Sequence, residues 1–154
     1  MSAQQNAALI DSALLERHRA LRTSRVTLPL RSDEDVVGLR RQVRERAVAI
    51  ALSLVDQTKL VTAASELARN TLKYGGGGEV HLDLLGDGVR QGVGLIFIDG
   101  GPGIADTDQA LRDGFTTGGG LGLGLGGARR LVDEFDIDSR QGEGTAVSVV
   151  KWKR

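Results

Sequence analysis

The sequence predicts an α+β domain, a two-layer α/β sandwich with three main helices on a mixed, mostly antiparallel sheet. Two observations carry this prediction. An edge strand is followed by a pair of helices, two strands, one more helix and two closing strands, an order unlike regular βαβ winding. The chain has 154 residues, the common size of one domain, and its low aromatic content of 3% predicts an aliphatic core.

The first elements follow from apolar spacing and capping residues. Residues 1 to about 22 carry a partial apolar stripe that predicts a leading helix, and we expect residues 1–23 to be an extension of a domain that spans 24–154. Residues 25–30 predict an edge strand, because Pro29 is tolerated at an edge and not in the centre of a sheet.

Two helices are predicted next. Ser32, followed by three acidic residues, predicts a helix that runs to about Leu54. Asp56 is predicted to cap a second helix that ends at Tyr74, where four glycines begin.

The second half alternates strands with glycine-rich connections. Residues 79–85 and 92–98 predict two strands joined by a Gly-Asp-Gly hairpin turn. A glycine-rich loop from Asp99 to Gly120 leads to a helix that ends near Phe135. Residues 136–139 and 145–152 then predict two closing strands.

Composition excludes several classes of function. Twenty basic and twenty acidic residues cancel, so no global positive charge favours nucleic acid or a membrane surface. The absence of cysteine excludes disulfides and thiol chemistry, and the apolar runs are too short for a membrane span. We therefore expect a soluble, cytoplasmic protein. An arginine-rich N-terminal third is interpreted as a solvated helix face, with a docking surface for an acidic protein as the alternative.

Glu66 and Asn70 form the first candidate site. Four residues apart on the helix that follows Asp56, they lie side by side at the edge of its apolar stripe. A carboxylate and an amide so placed suit a hard cation such as Mg²⁺, which binds few protein oxygens together with phosphate. A solvated helix face explains the same spacing.

Asp99 belongs to the second candidate site, the sequence Asp-Gly-Gly-Pro-Gly at the end of an apolar strand. An ionised carboxylate only accepts hydrogen bonds, so its natural ligand is a donor such as the exocyclic amine of adenine. A structural turn that needs Gly and Pro is the alternative.

A glycine run from Gly118 to Gly127 is the third candidate. Glycines at a helix start allow phosphate to approach unpaired backbone N–H groups. The run lacks the GxxxxGK[ST] pattern of a P-loop, and no strand precedes it as a dinucleotide fold requires. A structural glycine hinge remains the alternative.

These motifs, taken in order, resemble the GHKL ATPases, the family of gyrase, Hsp90, histidine kinases and MutL. Residues 66–70 resemble the N box, 99–103 the DxGxG box, 120–125 the next glycine box and 142–145 the last one. The phrases at 65–70, 113–117, 133–135 and 151–152 are similar to those of RsbT-type serine/threonine kinases. The resemblance implies the Bergerat ATP-binding fold.

The resemblance also implies ATP and Mg²⁺ as cofactors and a role for each residue. Asn70 would hold Mg²⁺, Glu66 would be the catalytic residue at the attacking hydroxyl, and Asp99 would accept the adenine amine. Residues 106–119 would form a short ATP lid. The remaining implied nucleotide-binding residues are Lys73, Gly101, Gly103, Gly120, Gly122, Leu123, Gly124, Leu125, Gly126 and Thr145.

As partners, the resemblance implies a STAS-domain antagonist that is phosphorylated and a PP2C-type phosphatase that is bound and activated. Three alternatives remain open: an anti-sigma kinase that holds a sigma factor, a binding switch with little turnover, and a histidine kinase fragment. The last depends on His18, which we expect to be an ordinary exposed helix residue.

Overall fold

The computed structural model describes residues 12–104, 110–112 and 124–154. Their strands form one five-stranded sheet in the order β1-β2-β3-β5-β4. The strands are β1 (Arg22–Leu30), β2 (Gly78–Gly86), β3 (Gln91–Asp99), β4 (Glu134–Arg140) and β5 (Gly144–Trp152). The helices are α1 (Ser12–Leu15), α2 (Asp33–Ala49), α3 (Leu54–Lys73) and α4 (Gly124–Arg130).

The predicted two-layer sandwich is confirmed, and its sheet is more uniform than expected. All four strand pairings in the described part of the chain are antiparallel, where the sequence predicted a mixed, mostly antiparallel sheet. β5 lies between β3 and β4. It forms a hairpin with β4 through a tight turn and pairs with β3 along its other edge. Edge strand β1 contains Pro29, as predicted.

Helix α2 begins after Ser32 as predicted but ends five residues earlier than expected. Ser32 occupies the N-cap position without a side-chain cap bond, and Asp35 instead accepts the N–H of Arg31 at 2.8 Å. Ala51 has a φ of 60°, and this left-handed residue ends the helix. The turn thereby buries both Ile50 and Leu52.

The residue that caps α3 is Ser53, not Asp56. The Ser53 hydroxyl accepts the N–H of Asp56 at 3.1 Å, so the helix begins two residues before the predicted cap. Asp56 lies in the first turn, where its charge suits the helix dipole.

Helix α4 ends at Arg130, and the prediction of an end near Phe135 is wrong. Phe135 is a strand residue that pairs with Val149. The reason is Asp133, whose carboxylate accepts the backbone N–H of Trp152 at 2.7 Å and the Lys151 ammonium at 3.3 Å. These bonds turn the chain towards β5 as soon as the helix is over.

The inner face of the sheet and the helices enclose the main core. Alternate residues of each strand point to this side, so Val80, Leu82, Leu95 and Phe97 lie beneath α2 and α3. The helices contribute Leu39, Val43, Ala47, Leu60, Ala64, Leu67 and Ala68, all buried. Aliphatic side chains supply nearly all of this core, as the composition predicted.

The outer face of the sheet is covered by residues 12–21, which we call the N-terminal strap. Within the described residues the strap is one helical turn followed by non-helical turns, so the predicted long leading helix is wrong here. Leu14 packs with Ile96, Ile98 and Ala146, and Leu21 packs with the cluster that contains Trp152.

His18 is buried in the strap, and the expectation of an exposed helix residue is wrong. Only 2% of the residue is exposed. Its Nδ1 lies 2.8 Å from Asp83 Oδ2 and its Nε2 lies 3.0 Å from the hydroxyl of Ser148. Arg25 completes the group with two bonds to Asp83, at 2.7 and 2.9 Å.

None of the helices in the described ranges is long and apolar enough to cross a membrane.

Candidate active site

The carboxyl end of β3 meets the loop that follows α3. Asp99 is the last residue of β3, and its carboxylate lies against Gly75, two residues after α3 ends. A Cβ on Gly75 would collide with the Asp99 carboxyl group, and a Cβ on Gly101 would lie 2.7 Å from Gly75 Cα. Glycine is therefore required at both positions for the two segments to touch.

Asp99 is a buried carboxylate with its orientation fixed. It is 8% exposed, and its Oδ1 accepts the N–H of Gly101 at 2.9 Å. Burial raises the pKa of Asp99, while hydrogen bonds from the backbone N–H groups of Gly101 and Thr145 counter part of this effect. The group is an acceptor held at the end of the sheet, as the interpretation of adenine recognition requires.

Thr145 lies beside Asp99 on the neighbouring strand and belongs to a small hydroxyl network. The two residues are register partners of β3 and β5. Thr145 Oγ1 lies 2.7 Å from Ser139 Oγ on β4, and Ser139 Oγ also accepts the N–H of Ile104 at 2.6 Å. The loop after Asp99 is thus tied to the β4–β5 hairpin.

Gly103 holds the same loop close to that hairpin. Its φ is +78°, and a Cβ there would collide with the carbonyl oxygen of Arg140. Nearby, the N–H of Gly142 donates to the Pro102 carbonyl oxygen at 2.7 Å. The second and last boxes therefore contact each other, which separate sequence motifs did not predict.

Glu66 and Asn70 lie on α3 and are both partly buried. Glu66 Oε1 accepts a hydrogen bond from Arg69 Nη1 at 3.3 Å, and the Glu66 side chain is only 13% exposed. The main-chain oxygen of Asn70 accepts from Tyr74 at 2.9 Å, so this residue also lies in the last turns of the helix. Exposed Lys73 places its Nζ 5.4 Å from the ring centroid of Tyr74.

The glycine-rich box is described only from Gly124 onward. Gly120, Gly122 and Leu123 lie outside the described residues, as does most of the predicted lid. Gly124 has a φ of +70° and begins α4, while Leu125 is a core side chain. Gly126 must be glycine because a Cβ would collide with the Leu111 carbonyl oxygen, so packing alone explains this glycine.

The structure thus joins Asp99 to Gly101 and Thr145 and packs Gly103 against Arg140 at the end of β4, with Asn70 and Lys73 in the last turn of the adjoining helix. Sequence reasoning missed three residues. The sequence analysis assigned Gly75 only to the end of a helix. Its position shortly after the N box was a signal that it could also belong to the site. Arg69 follows Glu66 by three residues, and this spacing on a helix could have predicted the ion pair between them. Ser139 is a strand serine with no local pattern to mark it.

Comparison with known proteins gives a consistent result. Residues 55–154 match the family model of the histidine kinase-, DNA gyrase B- and HSP90-like ATPases. The chain is 43% identical over 120 residues to the serine/threonine-protein kinase RsbT of Bacillus subtilis (strain 168), a match that covers 78% of this chain and 90% of that protein.

A solved structure shares the fold. It is the crystal structure of the RsbU and RsbW domains of a Mycobacterium tuberculosis protein, with a TM-score of 0.56 and 23% identity. The match covers 86% of this chain and 33% of that one, so the present chain spans about a third of its length.

Proposed function

The chain belongs to the histidine kinase-, DNA gyrase B- and HSP90-like ATPases, and among them to the RsbT-type serine/threonine-protein kinases, and from that membership we propose that it uses Mg-ATP to phosphorylate a STAS-domain antagonist. The phosphorylated group is a serine or threonine hydroxyl of that partner. Once released, the kinase binds and activates a PP2C-type phosphatase.

The observation that best supports an ATP site is the burial and hydrogen bonding of the Asp99 carboxylate. A buried carboxylate, fixed by two backbone N–H groups, lies against Gly75, where the absence of a side chain lets the loop after α3 approach it. Burial of a charged carboxylate is costly, and a further hydrogen bond from a ligand donor would lower that cost. The adenine amine is that donor, and Gly101, Gly103 and Thr145 complete the pocket around the base.

The residues of α3 fit a magnesium ion that also binds phosphate. Magnesium prefers hard oxygen ligands, and the Asn70 amide oxygen with Glu66 nearby offers that chemistry. The described ranges contain no group of three or more acidic, histidine or cysteine side chains that could hold a metal ion. When bound, the ion neutralises charge on the phosphates.

Glu66 is proposed as the general base. It takes the proton of the partner's hydroxyl as that oxygen forms a bond to the γ-phosphorus and the bond to ADP breaks. The Arg69 hydrogen bond at 3.3 Å fixes the direction of the Glu66 carboxylate. Because the Arg69 side chain is 57% exposed, the same arginine is also accessible to an incoming partner.

The phosphates are proposed to lie along residues 120–126, with Lys73 as a further phosphate contact. Residues 124–126 open α4, which packs against α3, the helix that carries Asn70. Residues 106–119 would close over the nucleotide and exclude water.

Phosphotransfer in a purified system tests the proposal. The chain is incubated with Mg-ATP labelled at the γ-position and a STAS-domain protein encoded beside it, and phosphoserine or phosphothreonine is located by mass spectrometry. We expect Glu66→Gln to reduce transfer by at least about a hundredfold, within the range that general bases contribute, and to keep ATP affinity nearly unchanged. Glu45→Gln, on the exposed face of α2, is the matched control.

Three results would contradict the proposal. Transfer that survives in Glu66→Gln would show that Glu66 is not the base. Stable capture of a sigma factor, without binding to a STAS protein or phosphatase, would favour the anti-sigma alternative. ATP-dependent partner exchange without turnover would favour a binding switch.

A further inference from the structure

The turn between α2 and α3 carries a cluster of exposed apolar side chains. Six large apolar side chains are exposed in the described ranges, and three of them lie within eight residues at this turn. Val48, near the end of α2, is 56% exposed, and Leu54 and Val55, at the start of α3, are 71% and 63% exposed. Single exposed apolar residues are common, whereas a cluster of them is typical of an interaction surface. We call these three residues the elbow patch.

Backbone hydrogen bonds fix the turn that presents the elbow patch. The N–H of Ala51 donates to the Val48 carbonyl oxygen, and the N–H of Leu52 donates to the Ala47 carbonyl oxygen, both at 2.9 Å. Leu52 is buried in the main core, and Ser53 then caps α3. The patch is therefore held on a rigid support, and such a surface loses little conformational entropy when a partner binds.

Cationic side chains flank the elbow patch on both helices. Arg44 precedes Val48 by four residues, so the two lie one turn apart on α2. Lys59 follows Val55 by four residues and lies one turn beyond it on α3. Both cations are exposed. Arg44 Nη1 donates to Gln57 Oε1 at 3.5 Å, which directs this guanidinium towards α3 and the patch.

The acidic residues near the turn leave the rim of the patch positive. Glu45 points about 100° away from its neighbour Arg44 around α2, and Arg44 is the residue that faces α3. Asp56 lies 3.5 Å from the buried ammonium group of Lys151, so its charge is balanced within the molecule. An apolar centre with a positive rim is complementary to an apolar surface with an acidic rim.

We propose that the elbow patch binds an amphipathic helix of a partner protein. The apolar stripe of that helix covers Val48, Leu54 and Val55, and acidic side chains beside the stripe pair with Arg44 and Lys59. The arginine-rich N-terminal third had two interpretations, a solvated helix face and a docking surface for an acidic protein. Arg44 lies beside exposed apolar side chains, which a solvated face does not explain, so the structure favours docking.

This docking surface goes beyond the proposed function, because it is remote from the nucleotide site. Leu54 begins α3 and Lys73 ends it, and a helix of 20 residues spans about 30 Å. A partner on the elbow patch would leave Asp99 and the surrounding glycines accessible to nucleotide. Docking and phosphotransfer thus make separate demands on the chain.

A second copy of the chain is a poorer occupant than an acidic helix. In a symmetric dimer through this patch, Arg44 and Lys59 of one copy would meet the same cations of the other. Like charges at such short range oppose association. Three apolar side chains also cover far less than the roughly 800 Å² per partner of a standard interface. A single helix matches the size of the patch.

Fluorescence polarisation with two synthetic peptides tests the proposal. Both are helical, with leucines in the i, i+3, i+4, i+7 pattern; one carries glutamate beside the leucines and the other carries lysine at the same positions. We expect the wild-type chain to bind the glutamate peptide about three- to tenfold more tightly, as surface ion pairs allow. Leu54→Ser should weaken this binding at least about tenfold, the effect of one lost buried leucine.

Charge reversal and a matched control locate the site. In the double variant Arg44→Glu and Lys59→Glu the preference should reverse, so that the lysine peptide binds more tightly. Val89→Ser removes an apolar side chain that is 92% exposed in the β2–β3 turn and should leave both affinities unchanged. Affinity for Mg-ATP should stay at the wild-type value in every variant, because the patch lies at the far end of α3.

Each other outcome counts against the proposal in a defined way. Equal affinity for the two peptides, or no affinity for either, would overturn an acidic partner. Binding of the glutamate peptide that is unchanged in Leu54→Ser would place the site elsewhere. A wild-type dimer in sedimentation velocity that dissociates in Leu54→Ser would identify a second copy as the occupant. A chain that binds the glutamate peptide as expected but not ATP would overturn only the proposed function.

Discussion

His81 lies on the outer face of β2, with its Nδ1 2.8 Å from the Thr27 hydroxyl. Burial and the nearby Arg25 charge lower the pKa of His81 from 6.5 to about 4, while Asp83 acts in the opposite direction. Between pH 6.5 and 4 the native state therefore binds fewer protons than the unfolded chain. Stability then falls as pH falls through this window, by about 3 kcal/mol at its lower end.

This titration predicts the behaviour of His81→Gln. The free energy of unfolding of the wild-type chain should drop by about 2–3 kcal/mol more than that of the variant between pH 7 and pH 4.5. Urea denaturation at the two pH values measures both differences. Equal pH dependence in the two proteins would contradict a buried His81 with a lowered pKa.

Asp99 has the opposite shift, since burial raises the pKa of this carboxyl group. In Asp99→Asn the single amide oxygen faces the N–H groups of Gly101 and Thr145, so little acceptor capacity remains for adenine. We expect ATP affinity to fall at least about tenfold, the effect of one strong hydrogen bond to a charged group. Calorimetry measures the affinity, and Asp33→Asn at the exposed start of α2 is the control. Unchanged affinity would remove Asp99 from the base pocket.

At the residue scale the sequence predicted groups that belong to motifs and missed groups defined only by the fold. Asp99, Gly103 and Thr145 were named from the glycine boxes; the structure pairs Asp99 with Thr145 and packs Gly103 against Arg140. His18 was predicted to be exposed because its partners, Asp83 and Ser148, are 65 and 130 residues away. Sequence spacing carries no information about such contacts.

The N-terminal strap packs on β3 at a glycine, Gly94, which leaves room for the His18 ring. A Cβ on Gly94 would lie 2.6 Å from His18 Cε1 and 2.8 Å from His18 Nδ1. The glycine therefore provides the space in which the histidine ring reaches Asp83 and Ser148. One strand residue and one strap residue are coupled through this contact.

Gly94→Ala should destabilise the chain by about 1–3 kcal/mol, the usual cost of overpacking, because His18 has to move. Gly38→Ala is the control, since a Cβ there contacts nothing within 4 Å and alanine stabilises a helix interior by about 0.5–1 kcal/mol. In a His18→Ala background the cost of Gly94→Ala should largely disappear. Thermal denaturation of the four proteins measures this coupling, and additive effects would contradict it.

Helix ends were less predictable than strands. All five strands were predicted within about three residues because alternation and glycine turns are local signals. The early end of α2 depends on the left-handed Ala51, and that of α4 depends on bonds between Asp133 and residues of β5. Tertiary contacts decided both ends.

At the scale of the whole molecule, the sheet has two faces with different covers. Helices α2 and α3 protect the inner face, and among the described residues the strap packs on an outer apolar area that includes Leu85, Ile96, Ile98, Val150 and Trp152. An exposed apolar patch of this kind promotes association. The strap is therefore required for a protected outer face.

A variant that lacks residues 1–21 should lose stability and self-associate as concentration rises. A variant that lacks only residues 1–11 keeps Leu14 and His18 and serves as the control. Sedimentation velocity over a hundredfold concentration range, together with thermal denaturation, distinguishes the two. A monomeric 22–154 chain with wild-type stability would show that the strap does not protect the sheet.

The hydrogen bond between His18 and Ser148 also sets an order of events during folding. It joins positions 130 residues apart, while β1, β2 and β3 pair as neighbours along the chain. Contacts of high sequence separation form late, because the entropy of closing the loop is lost before the contact is gained. During synthesis His18 emerges from the ribosome long before Ser148 does. The first described segment of the chain is thus among the last to reach its native position.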